Sequence, residues 1–218
     1  MIRENLQHIL SDIPSNVQLV AVSKTKPNED ILIAYDSGQR HFGENKVQEL
    51  NQKQQQLPKD IKWHMIGHLQ TNKVKYIAPF IHLIHGVDSI KLLKEINKQA
   101  KKNNRTIECL LQFHIASEQS KFGLSRAQAI EIILSDEFNA LNNICIKGVM
   151  GMASFTSDHN KIEEEFSVLK AIFDELKNIT PYPNSFDCIS MGMSGDYKIA
   201  IKKGSNMIRI GSTIFGSR

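Results

Sequence analysis

The sequence predicts an α/β fold: a single TIM-type (β/α)8 barrel spanning residues 1–218. Three observations lead there. Eight short runs rich in apolar and β-branched residues are each separated by a longer segment of helical periodicity. The length of 218 residues falls at the lower end of the range for such a barrel. No Pro/Gly/Ser-rich linker and no shift in composition divides the chain, so one domain is expected.

In chain order, residues 2–10 have a helical pattern and are expected to cover the bottom of the barrel. Strands are expected at 17–22, 40–42, 62–66, 81–85, 106–113, 144–149, 186–190 and 207–210. The intervening helices are expected at 28–37, 45–56, 72–77, 89–103, 125–136, 160–178 and 194–203. In the longest of them Val168, Leu169, Ile172, Phe173 and Leu176 mark the buried stripe. The polar tract 51–56 (NQKQQQ) reads as an exposed helix end.

Composition excludes several classes. Hydrophobic residues make up 41% and charged residues 23%, the proportions of a water-soluble globular chain. The net charge of +4 is spread out, as along Lys91, Lys94, Lys98, Lys101 and Lys102, without interleaved aromatics; a nucleic-acid partner is not expected. No apolar run approaches the roughly 20 residues of a membrane span, and the N-terminus MIRENLQHIL lacks a signal-peptide core. Cys109, Cys145 and Cys188 lie in or beside short apolar runs and read as reduced core residues, which places the chain in the cytoplasm.

Reactive groups of a (β/α)8 barrel gather at the C-terminal ends of its strands, and four features fall there. Lys24 follows the first strand in the segment Ser23-Lys24-Thr25-Lys26-Pro27. If Val20 and Val22 face inward, alternation carries Lys24 inward too, and partial burial favours the neutral amine that attacks an aldehyde. Two exposed loop lysines remain the alternative on position alone. The segments 190–196 (SMGMSGD) and Gly211-Ser212-Thr213 follow the seventh and eighth strands, where this fold builds its recurrent phosphate site from amides and hydroxyls. Arg209 sits inside the last strand run, where burial demands an acceptor. A pyridine nitrogen in the interior or a carboxylate on the helix side would serve equally. His64, His68, His82 and His85 have no acid or thiol at metal-ligand spacing, so no metal is expected.

The segments AVSKTKP (21–27), FGENKVQE (42–49), WHMIGHLQTNK (63–73), SKFG (120–123), GVMGM (148–152), SMGMSGD (190–196) and MIRIGSTIFG (207–216) follow one another in order. Together they resemble the YggS/PROSC family of pyridoxal phosphate homeostasis proteins, over nearly the whole chain. The resemblance implies a pyridoxal phosphate (PLP) protein of fold type III, like the N-terminal barrel of alanine racemase but without the C-terminal β-domain of that enzyme. It implies that Lys24 holds PLP as a covalent Schiff base, that Ser194, Gly211 and Ser212 surround the phosphate, and that Arg209 faces the pyridine nitrogen. Asn45 and Met152 match positions lining the cofactor, and His64 is expected near the ring or its approach. Lys26 matches a second lysine to which no catalytic role is given. His68 stands where many relatives have proline, and Gly195 where many have an acidic residue.

The function implied is PLP homeostasis, sequestering or carrying the cofactor, with PLP-dependent apo-enzymes as transient recipients. The alternative is a PLP-dependent amino-acid racemase or lyase, and more remotely a Schiff-base aldolase without a cofactor. Two-base racemisation requires an acid/base on each face of the substrate carbon. The tyrosine supplying the second base in alanine racemase comes from a domain not expected here, so a non-catalytic monomer is anticipated.

Overall fold

Short strands that read as continuous apolar runs can bury both faces only in a parallel sheet covered by helices. The computed structural model, which describes residues 1–117 and 122–216, closes that sheet into a barrel. The order is α1 (Ile2–Asp12), β1 (Gln18–Val22), α2 (Asn28–Asp36), β2 (His41–Glu44), α3 (Val47–Gln56), β3 (Lys62–Met65), α4 (Val74–Ile77), β4 (Leu83–Val87) and α5 (Ile90–Lys102). Then come β5 (Ile107–Phe113), α6 (Arg126–Leu134), α7 (Asp136–Asn139), β6 (Ile144–Gly151), α8 (His159–Ile179), β7 (Cys188–Ser190), α9 (Tyr197–Lys202), β8 (Met207–Ile210) and α10 (Ser212–Phe215). Each strand pairs in parallel with the next, and β8 closes on β1 from Gln18↔Met207 to Ala21↔Ile210. No described helix is long and apolar enough to cross a membrane.

The closed sheet separates two cores. Outward residues such as Leu19, Phe42, Trp63, Ile84, Leu111 and Ile210 join the helices in one large cluster. Inside the barrel a small cluster of Leu83, Leu110, Met150 and Cys188, with Met207 against it, fills the lower interior. Above it the buried interior turns polar, with His64, His85, Ser190 and Arg209. The helices start where short side chains can accept the first free amides: Ser89, Ser125, Ser135 and Asp158 cap α5, α6, α7 and α8.

Three expectations need correction. The helix α1 packs beside α2 and α10 on the barrel's flank, not across its bottom. Its Leu6 and Ile9 are fully buried in the outer core, Asn5 Nδ2 donates to the Ile214 carbonyl (3.1 Å), and Asp12 accepts from the Tyr197 hydroxyl (2.6 Å). The last helix, α10, is only four residues long, and α1 packs against it. Val168 is 51% exposed, and the buried stripe of α8 runs instead through Ile162, Phe166, Leu169, Ile172, Phe173 and Leu176. The fourth and seventh strands each begin two residues later than expected, at Leu83 and Cys188.

Gly148 marks the tightest point of the wall. Its φ of +149° lies in glycine's territory, and a Cβ there would lie 1.8 Å from the Cys188 carbonyl oxygen of the neighbouring strand. Gly148→Ala is expected to cost about 3 kcal/mol or more by forcing β6 from β7, read from equilibrium urea unfolding. A midpoint unchanged from the parent protein would contradict this account of the wall.

Candidate functional site

The loops at the C-terminal ends of β1, β2, β3, β6, β7 and β8 surround a cleft of about 970 Å³. Lys24, Asn45, Met152, Ser194, Arg209, Gly211 and Ser212 all line it, so every residue expected around the cofactor except His64 meets in one place. Lys24 is half-buried on the row begun by Val22, which lines the cleft with it. Of the SKFG motif, Ser120 and Lys121 lie outside the described residues.

What holds Lys24 in place is a charged network that the sequence did not reveal. Lys53, on α3, donates to the Ser23 carbonyl (2.8 Å), to Glu44 (2.8 Å) and to Glu49 (2.6 Å). The Ser23 hydroxyl donates to the same Glu44 oxygen (2.6 Å), and the Thr25 amide donates to Glu49 (2.7 Å). Lys24 is therefore flanked on both sides by residues fastened to α3. Thr25 takes the left-handed φ of +65° that this turn requires. Burial holds the Glu44 carboxyl above the usual carboxylate range, while Lys53 and Ser23 pull it back. Lys26 is engaged elsewhere, since its ammonium donates to the carbonyls of Phe215 (3.0 Å) and Gly216 (3.2 Å), at the end of α10.

Arg209 enters from the floor of the cleft. Nη1 donates to the Ser190 carbonyl (2.8 Å) and hydroxyl (2.6 Å), and Nη2 to the Gly151 carbonyl (3.0 Å). The sequence left two directions open for this residue; the interior is the one adopted, in register with Val20. Burial lowers the guanidinium to about 10, so it keeps its charge at neutral pH.

His64 needs relocation. It is fully buried and does not line the cleft; its Nδ1 meets His85 Nε2 (2.9 Å), whose Nδ1 meets the Ser190 hydroxyl (3.0 Å) that Arg209 holds. His64 thus stands beneath Arg209, two side chains removed. The resemblance that put it near the ring did not tell how deep in the barrel it lies. Burial drives both imidazoles well below their ordinary pKa, so both are neutral.

Across the mouth, the amides of Ser194, Gly195, Ser212 and Thr213 donate to no protein acceptor among the described residues. They lie on the loops after β7 and β8, beside the hydroxyls of Ser194, Ser212 and Thr213, and a Cβ on Gly195 would meet nothing within 4 Å. Such a set of uncommitted donors suits a phosphate. With an amine at one wall and a charged donor at the floor, the residues present fit PLP.

The fold is that of the alanine racemase N-terminal domain, whose family the sequence matches over residues 1–218. Alanine racemase of Clostridium difficile superposes with a TM-score of 0.80 at 15% identity, over 100% of this chain and 56% of that one, a likeness of fold alone. PipY of Synechococcus elongatus is nearer: its form with PLP bound gives a TM-score of 0.89 at 33% identity, covering 99% of this chain and 100% of that one. Its form without PLP gives 0.92 at 34%. A pyridoxal phosphate homeostasis protein of Vibrio alginolyticus is 38% identical over 232 residues, 100% of this chain and 97% of that protein. The chain belongs to the pyridoxal phosphate homeostasis protein family.

Removing Lys53 would leave Glu44, fully buried, without its counter-charge. Lys53→Met is expected to lower stability by about 3–5 kcal/mol in chemical unfolding. Loss of less than about 1 kcal/mol would show that the network does not anchor the loop.

Proposed function

We propose that this chain binds PLP in the cleft, covalently at Lys24, and serves as a reservoir or carrier of the cofactor. The observation that carries this reading is the convergence of Lys24, Arg209 and the uncommitted amides of two loops on one cleft. Bound there, PLP supplies an aldehyde to which an amine can add and a ring that can delocalise charge. The amides after β7 and β8 hold and orient its phosphate. Lys24 presents the amine. Arg209 is a donor only, so it would give a pyridine nitrogen a hydrogen bond but no proton, which would weaken carbanion stabilisation.

The other titratable groups lining the cleft are Lys26 and Asp196. Lys26 is committed to the end of α10, and Asp196 Oδ1 accepts from the Met193 amide (2.5 Å). The Tyr197 hydroxyl points away, to Asp12. Among the described residues the cleft lining contains no histidine, tyrosine or glutamate. On this reading apo-enzymes that use PLP are transient recipients, and the protein acts as a cytoplasmic monomer. Three free thiols suit a reducing compartment.

Two measurements test the proposal. After incubation with PLP and reduction with borohydride, the peptide containing Lys24 is expected to carry one phosphopyridoxyl group, and Lys24→Ala to carry none although Lys26 is intact. Label persisting on Lys26 in that variant would move the attachment site, and an unlabelled parent protein would end the PLP reading. In deuterated water with L- and D-amino acids, the loaded protein is expected to show no sustained α-proton exchange. Exchange over many turnovers would favour a racemase or lyase.

A further inference from the structure

The opposite pole of the barrel carries a second cluster that the PLP reading leaves unused. His41 opens β2, His64 lies on β3 and His82 immediately precedes β4. Their ligand nitrogens all lie within 4.8 Å of one another, and His41 Nδ1 and His64 Nε2 are 2.9 Å apart. We infer that these three imidazoles form a binding site for a divalent transition metal of the zinc type, with water completing its coordination.

Geometry supports this first. The three ring centres form a nearly equilateral triangle with sides of 5.2, 5.4 and 5.2 Å. A metal held ~2.0–2.1 Å from three ring nitrogens at tetrahedral angles sets ring centres about 5.2 Å apart. The triangle matches that spacing. Closing the remaining distance falls to His82 and His41, which are only half-buried and can turn, while His64 is fixed in the interior.

The protonation state is the one a ligand needs. Burial lowers all three imidazoles, His41 to about 4, so each is neutral at pH 7 with a lone pair to give. A neutral imidazole that ligates through one nitrogen keeps its proton on the other, and for His64 that proton has a destination. His64 Nδ1 lies 2.9 Å from His85 Nε2, and His85 Nδ1 lies 3.0 Å from the Ser190 hydroxyl, which accepts from Arg209; with each Nδ1 protonated, both protons have an acceptor. Outer hydrogen bonds of this kind orient metal-binding histidines.

Charge and access complete the case. Lys62 lies close enough to disfavour protonation of each imidazole and would oppose a cation; the Glu108 carboxylate near His82 acts in the other sense. His82 and Glu108 together line an open pocket of about 390 Å³, which gives an ion a route from solvent. Local spacing in the sequence could not signal this set, because its members come from three successive strands.

The test uses the full-length protein, dialysed against chelator and titrated with Co²⁺ alone and then with Zn²⁺. One equivalent of Co²⁺ is expected, with the visible absorption of a tetrahedral centre, displaced by Zn²⁺. Affinity should fall at least about tenfold in His41→Gln and in His82→Gln, and persist in His68→Gln, which alters a histidine on the opposite rim. Because the substitutions could unfold the barrel, the parent protein carries an independent readout. Zn²⁺ should shift the imidazole ¹⁵N resonances of His41, His64 and His82, and leave those of His8 and His159 unmoved. Failure to bind Co²⁺, unchanged affinity in both folded variants, or shifts confined to other histidines would overturn the proposal.

Discussion

A guanidinium that is 4% exposed inside a barrel must receive its acceptors from the strands around it, and much of the interior is arranged to supply them. Ser190 meets Arg209 with both its carbonyl and its hydroxyl, and Gly151 offers a carbonyl from the adjoining strand. The same hydroxyl joins His85, which joins His64, so the polar half of the lumen is one connected set. The lower half, around Leu83, Leu110, Met150 and Cys188, is apolar. The charge is thus kept at the floor of the cleft, where a ligand can meet it, by a column of neutral groups that need no counter-ion.

A carbonyl and a hydroxyl of one serine are short acceptors fixed to the strand, unlike a mobile carboxylate. They leave Arg209 its full charge even though burial lowers its pKa. This distinguishes the site from a buried ion pair: the one carboxylate acting on Arg209 through space is Asp196, at the cleft wall, and it makes no direct contact with the guanidinium among the described residues. The charged pairs of the region are placed elsewhere, at Lys53, Glu44 and Glu49, where they act on the backbone of the lysine loop.

Much of the barrel was legible because burial on both faces leaves near-continuous apolar runs, as in LLQF of β5 and MIRI of β8. Lys24, Ser194, Gly211 and Ser212 were legible for a related reason: each lies just past a strand, and the closed barrel brings all such positions to one rim, where Asn45 and Met152, known only through the family resemblance, also lie. Depth was not legible. His64 and Arg209 both face inward, yet only the shear of the closed sheet decides that one lies below the other. Placement of α1 was also out of reach, because an apolar stripe shows that a helix packs but not where. Glu49 and Lys53 offered a readable signal as an i,i+4 pair on α3, but Glu44 joins them only through the fold.

The turn around Lys24 is fixed from both sides by α3, through Ser23 and Thr25. A loop anchored this way presents its lysine to the cleft from a backbone tied to the neighbouring helix. On the attachment proposed above, the amine would stand on a backbone whose path α3 has already set.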